Sequence, residues 1–449
     1  MYSELKTSIS QLKITRLFGS ENVDISFDNN VKILMGENGT GKTTILNILY
    51  YSLTLNYSKL VNLPFESVEI NFTSGDSLRL VRDELDKLFI PDNDSFLFHR
   101  LFSRIQPQEF TKLVHLARNR KLSEFEKFLD EEIKFHDIPA RLVYRELRTI
   151  SRGKGNEVSA RHQEIIDSSI KDEILYFPTY RRIEEDLINL GMSRRTNIDD
   201  ELLIKFGLTD VEKLIEKLKS EIKDISIKWF SKVNGEMLSQ LITGIEVTEE
   251  MRESIKNQDT LKIVLGRVGS NLKKEDKEKI YSLVSSDDFY LSAGHDPLLY
   301  FLSNLIKIYD QQKELDNSIK NFAEACNQYL KVSKKEFIYD ESNVELKLFR
   351  IKNNQEKEEL ALSTLSSGEK QIVSLFSRLY LDSTDSRFII IFDEPELSLS
   401  TEWQNRLLPD ILNSKKCSLL FAVTHSPFIF ENELDIFARG LEMYIHEAD

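Results

Sequence analysis

Hydrophobic and polar positions alternate over short stretches at the start of the chain, and that alternation predicts strands over residues 11–17, 22–27 and 31–35. The pattern breaks over 36–43, and an apolar helical spacing takes over for 44–55. Two more strand-like runs, 67–73 and 77–81, are joined by the turn signal Ser74-Gly75-Asp76. From about residue 83 to 335 the chain is polar and helical in character. Val211, Leu214, Leu218, Ile222 and Ile225 there recur on one helix face. No heptad persists long enough for an extended coiled coil, so the stretch reads as a compact helical insert. ILYFPT at 174–179 interrupts it as a strand, followed closely by Arg181 and Arg182. Strands return at residue 337, then a helix, then FIIIF at 388–392, a continuous apolar run suited to a strand buried on both faces. A helix over 401–412 and a second buried strand over 418–423 complete the pattern. The expected fold is α/β, divided as 1–82, a mostly helical 83–335 that returns one strand to the rest, and 336–449.

Composition narrows the class. A chain of 449 residues with 27 Phe and 15 Tyr is too aromatic to be wholly disordered, and is long enough for two or three domains. No run approaches the roughly 18 apolar residues of a membrane span, and MYSELKTSIS has no apolar leader core. Cys326 and Cys417 are too few for a disulfide framework or a zinc site. The expectation is a cytoplasmic protein with no membrane partner. The net charge of −14 opposes general nucleic-acid coating, so contact with DNA or RNA requires a local basic patch, an enclosed channel or a partner. Basic residues do gather at Arg100, Arg104, Lys112, Arg118, Arg120 and Lys121, and again at Arg141, Arg145, Arg148, Arg152 and Lys154. These clusters read either as a nucleic-acid patch or as solvated helical faces.

Gly36-Glu37-Asn38-Gly39-Thr40-Gly41-Lys42-Thr43 matches the phosphate-loop pattern G-x4-G-K-[ST]. Glycines let backbone N–H groups turn around phosphate oxygens. Lys42 can reach the β- and γ-phosphates, Thr43 offers a hydroxyl to Mg²⁺, and the helix continuing through Thr44 points its positive end at the anion. The apolar strand 388–392 ends in Asp393 and Glu394. Asp393 stands where it can hold Mg²⁺, and Glu394 where it can polarise a water against the γ-phosphate. Between them, Leu365-Ser366-Ser367-Gly368-Glu369 opens an amphipathic helix, and Ser366 with Glu369 forms a capping box. Thr424-His425-Ser426 follows the last buried strand.

Taken in this order, the motifs resemble the ATPase head of the ABC superfamily, in its SMC-like and OLD-type branch. The resemblance covers about the first 80 and last 110 residues, and implies an ABC-type head with a large helical insert between the phosphate loop and the signature motif. It further implies ATP and Mg²⁺ as cofactors and a homodimer or higher oligomer. In such a dimer Ser366, Ser367, Gly368 and Glu369 of one protomer cap the nucleotide held by Gly36, Asn38, Gly39, Thr40, Gly41, Lys42, Thr43 and Thr44 of the other. Glu394 would be the general base, His425 the γ-phosphate contact, and Thr43 with Asp393 the metal ligands. Ser367 stands where the family more often has glycine. The distance from Thr43 to Leu365 exceeds what a transporter subunit needs.

The finer likeness, in YFPTYRRIEE, LSSGEKQIVSLFSRLYL, FDEPELSLS and THSPFIF, is to stand-alone ATPases of bacterial anti-phage systems such as the Septu (PtuA) type. That group is associated with a separate HNH-type nuclease. Too few residues follow His425 here for the Toprim domain of OLD nucleases. Asp340 with Glu345 and Lys347 has the outline of a metal-nuclease site, but Glu-x-Lys arises easily in a chain with 74 acids and 60 bases, and a hairpin is the expected reading there. Arg181 and Arg182 read as nucleotide-sensing or dimer residues, or as ion-pair partners of Glu184 and Glu185, and Gln106 is a candidate metal-contacting glutamine. Two functions follow: an ATPase that regulates a nuclease effector in defence, or an SMC-like DNA clamp in repair or maintenance without a nuclease partner.

Overall fold

The computed structural model describes residues 7–37, 39–89, 113, 116, 122–129, 139–144, 154–178, 208–269, 272–352, 356–382 and 386–448. Asn38, Gln106, Thr179, Arg181, Arg182, Glu184, Glu185 and the first basic cluster lie outside them, as do Arg145, Arg148 and Arg152 of the second. The chain forms two compact units, Met1–Arg181 with Arg387–Asp449, and Arg182–Ser386. The second takes in residues 336–386, so these boundaries cut the chain elsewhere than the three-part division expected from sequence.

The first unit is built on two sheets. One is antiparallel, in the order β13-β2-β1-β4-β5, from β1 (Ile9–Leu17), β2 (Glu21–Ser26), β4 (Ser67–Phe72), β5 (Ser77–Val81) and β13 (Ile445–Glu447). Its strands alternate, and Leu12, Ile14, Val68 and Ile70 turn inward, essentially without exposure. The other sheet is parallel, in the order β12-β3-β11-β10-β6, from β3 (Val31–Met35), β6 (Glu173–Phe177), β10 (Phe388–Asp393), β11 (Cys417–Thr424) and β12 (Ala438–Gly440). Every residue of β10 and β11 is buried, which is why both read as unbroken apolar runs. β6 joins β10 in register, Phe177 opposite Phe392 with ring centroids 4.8 Å apart, so this strand from the middle of the chain does return to the sheet. Helix α1 (Lys42–Leu53) buries Ile45, Leu46, Ile48 and Leu49 and contacts β10.

The second unit is led by two long helices, α2 (Leu208–Thr243) and α3 (Asp296–Leu330), of 36 and 35 residues. They run antiparallel: Gln312 Nε2 donates to Ile222 O, while Val233 joins Leu299 and Leu302 in one apolar cluster. These helices are longer than a compact insert suggested. Buried polar residues, Gln312 and Asp316 among them, sit in the α3 seam and break up the apolar heptad that would have announced its length. Strands β7 (Lys335–Asp340), β8 (Glu345–Ile351) and β9 (Lys357–Leu360) form an antiparallel sheet, and α4 (Ser367–Leu381) packs on α2 and α3. Ile372, Val373, Leu375, Phe376 and Leu379 of α4 are at most 1% exposed. Burying each contributes about 1.5–3 kcal/mol.

The hairpin accounts for the residues with a nuclease-like outline. Asp340 pairs with Glu345 across β7 and β8 and accepts hydrogen bonds from the Ser342 and Asn343 amides of the turn. Lys347 pairs with Glu345 and Glu359 on the surface.

Candidate functional site

The phosphate loop begins where β3 ends, at the carboxyl edge of the parallel sheet. Two of its glycines answer to sterics. Gly41 has φ +82°, and a Cβ there would stand 2.7 Å from Phe18 Cε2; one on Gly36 would stand 3.0 Å from Thr40 Oγ1. Lys42, the first residue of α1, is buried. Its ammonium donates to the carbonyl oxygens of Gly36 (2.5 Å) and Glu37 (3.0 Å). It also lies against both ring nitrogens of His425, 3.2 Å from Nδ1. Burial pushes the Lys42 pKa below the usual lysine value, and the carboxylates of Glu394, Asp393 and Glu396 offset only part of that. Thr44 follows in the first turn, half-buried.

Parallel pairing brings the other groups to the same edge. β11 lies between β3 and β10, with Thr424 opposite Met35 and Val423 opposite Asp393. Thr43 Oγ1 donates to Asp393 Oδ2 at 2.8 Å, and Asp393 is 2% exposed. Two hard oxygens side by side suit Mg²⁺, which takes one or two protein oxygens and completes its octahedron with phosphate and water. Among the described residues no group of three or more His, Cys, Asp or Glu forms a separate metal cage.

Glu394 leaves β10 with φ +50°, a left-handed conformation that costs energy in any residue but glycine. Its amide donates to Val423 O at 2.9 Å, and its Oε1 lies 3.4 Å from His425 Nε2. Lys42, His425 and Glu394 therefore form a continuous chain of contacts. A cavity of about 980 Å³ opens beside the loop, lined by Gly36, Gly39, Thr40, Thr424, His425 and Leu441 among others, large enough for a nucleotide.

Two residues absent from the sequence reading complete the arrangement. The backbone N–H groups of His425 and Ser426 both donate to Glu396 Oε1, at 2.8 and 3.1 Å. Ser426 Oγ donates to Gln404 Oε1 at 2.7 Å, and Gln404 Nε2 donates to Leu399 O at 3.0 Å. Gln404 belongs to α5 (Thr401–Asn413), which Ser400 caps. The second carboxylate of Asp-Glu-Pro-Glu was the only signal available for Glu396.

The signature segment lies in the second unit. Ser366 caps α4 with the reciprocal bonds of a capping box. Glu369 is buried and commits its carboxylate further, to Lys335 at 2.8 Å and Ser333 at 2.6 Å. Burial pushes the Glu369 carboxyl up, but hydrogen bonds from Lys335, Ser333 and the Ser366 amide together hold it below the usual range. Ser366 and Ser367 are exposed while Gly368 is buried, so the segment presents two hydroxyls at a helix N-terminus.

A phosphate loop, a strand-end carboxylate pair and a histidine after the intervening strand are the parts of an ATPase site. The chain belongs to the AAA ATPase domain family AAA_15, whose model matches residues 8–430. It is 23% identical over 444 residues to the Retron Ec83 probable ATPase of Escherichia coli, covering 94% of this chain and 69% of that protein. The Retron Vc95 probable ATPase of Vibrio cholerae serotype O1 biovar El Tor is 22% identical over 433 residues, covering 90% and 67%. Among solved structures, the Smc head domain from Pyrococcus furiosus, bound to the C-terminal domain of ScpA, matches at 14% identity with a TM-score of 0.33, covering 94% of this chain and 91% of that one. Among the described residues no helix is long and apolar enough to cross a membrane.

Proposed function

We propose that this ATPase works in the cytoplasm as a homodimer or higher oligomer, and that its ATP-bound state regulates a partner nuclease in prokaryotic anti-phage defence. The observation that carries the catalytic part is the convergence of Lys42, Thr43–Asp393, Glu394 and His425 at the ends of adjacent parallel strands. Two relatives named as retron probable ATPases, and the likeness to stand-alone anti-phage ATPases, support the setting.

In this reading the loop amides and Lys42 bind the β- and γ-phosphates. Thr43 and Asp393 hold Mg²⁺, which when bound neutralises charge developing on the phosphates. Glu394 accepts a proton from the water whose oxygen bonds to the γ-phosphorus, while the bond from that phosphorus to the bridging oxygen breaks and ADP leaves, giving ADP and phosphate. His425 contacts the γ-phosphate and so distinguishes ATP from ADP. Ser366, Ser367 and the first-turn amides of α4 cap the nucleotide of a second protomer. A nucleotide shared by two protomers binds the closed dimer preferentially, and this is what lets ATP act as a switch.

The test is Glu394→Gln, which keeps the shape of the side chain and removes the base. Turnover should fall at least roughly 100-fold while ATP binding persists. Sedimentation with ATP should show the dimer, and a tagged protein drawn from its native cells should bring a nuclease with it. Near-normal turnover would remove Glu394 from its role. A monomer under saturating ATP would overturn the shared-site reading, and no co-purifying nuclease would overturn the effector.

A further inference from the structure

His425 is held at both ends by two carboxylates that lie two positions apart in sequence. Glu394 meets the ring, with Oε1 3.4 Å from Nε2. Glu396 meets the backbone, where one oxygen accepts the amides of both His425 and Ser426. Two successive N–H groups converging on one oxygen form an anion nest, and here the anion belongs to the protein. Pro395 separates the two carboxylates and fixes the backbone between them. Tight turns follow, with the Leu397 amide donating to Glu394 O and the Leu399 amide to Glu396 O. Gln404 closes the far side by bridging Ser426 Oγ to Leu399 O. Glu396 is 8% exposed, and its Oε2 is buried with no hydrogen-bond partner.

We infer that Glu396 is a positioning residue for hydrolysis: it fixes the turn at His425 and Ser426 so that the imidazole stays between Lys42 and Glu394. This rests on the assignment of the γ-phosphate contact to His425. The bonds Glu396 makes toward the site run to the backbone amides of His425 and Ser426, so its removal acts on turnover through His425. Without its oxygen, the two amides lose their acceptor and the turn re-forms elsewhere, carrying the ring away from Glu394.

The experiment is steady-state ATP hydrolysis by Glu396→Ala, Glu396→Asp and Glu396→Gln in the full chain, each with and without His425→Ala. Alanine has no oxygen to offer, and aspartate is one methylene too short. Each should lower kcat at least about 10-fold with KM within about 3-fold of wild type. Glutamine keeps an amide oxygen for both N–H groups and should rescue kcat to within about 3-fold. In the His425→Ala background the alanine change should add less than about 2-fold, because the residue it positions is gone. If Glu396→Ala fails to fold, the aspartate and glutamine pair carries the test. Equal losses in both backgrounds, or an aspartate variant with full turnover, overturn the inference alone. A His425→Ala protein with full turnover overturns the site assignment and this inference with it.

Discussion

Both units of this molecule gather charge away from water, and they do so in opposite ways. In the second unit Arg267 is enclosed by acceptors: Asp316 Oδ1 at 2.6 Å, Glu341 O at 3.0 Å and Gln312 Oε1. Tyr339 donates to the same Asp316 oxygen, Gln312 donates to Ile222 O and Ser226 Oγ, and Tyr309 stacks on the guanidinium. One helix pair, a short helix and a hairpin are tied together by this cluster. In the first unit Lys42 faces three carboxylates, one of them on a strained residue, and its pKa stays lowered all the same. That cluster borders a cavity. A buried cation paired by side chains from several elements fixes shape, while one set beside a phosphate loop and a cavity reached through His425 is placed to take a ligand.

Substitutions can break or sharpen that contrast. The largest effect expected is on ATP affinity: Lys42→Ala should abolish tight binding in calorimetry, a loss of at least about 100-fold, with the melting temperature little changed. Unchanged binding would make the two clusters alike. In the Arg267 cluster the order reverses. Asp316→Ala leaves the largely enclosed Arg267 without its ion partner and should cost about 3–5 kcal/mol in denaturant unfolding, whereas Arg267→Met with Asp316→Leu should cost much less. A double variant as unstable as the single one would show that the loss comes from the missing network and not from a charge left without its partner.

Gly41→Ala should be milder, about 1–3 kcal/mol with weakened ATP binding, since it sets a Cβ against Phe18 at a φ suited to glycine. The smallest effect is on pH dependence. The folded pKa of Glu369 is depressed, so its stabilisation is complete above the ordinary value of 4.5 and is lost as pH falls through the lower folded value. Glu369→Gln should flatten that acid-side slope in thermal melts. An unaltered slope would show that Lys335 and Ser333 do not hold the charge.

Local order is what made the first cluster legible. A glycine loop between strand and helix, and an apolar strand ending in Asp393 and Glu394, each lie within about ten residues, so their chemistry shows as spacing. His425 could be placed because it follows a second apolar strand. Glu396 gave no such sign, since its partners are backbone amides 29 and 30 positions away that any residue can provide. Arg267 and Asp316 are 49 apart and look like ordinary surface charges until the helices pack. β12 and β13, three residues each, are too short to alternate. The length of α2 and α3 was hidden by the polar residues of their own seam.

Those two helices also give the second unit a mechanical character. At 1.5 Å per residue each is about 50 Å long. Tyr329, at one end of α3, lies against Phe376 of α4, with ring centroids 5.6 Å apart, while Leu299 and Leu302 anchor the small helical cluster at the other end. A stiff rod held at its base is a lever: a tilt of about 5° beside α4 sweeps the far end through about 4 Å. Displacements too small to disturb the capped serines can thus become movements as wide as a side chain, delivered where the helical cluster meets whatever lies beyond it.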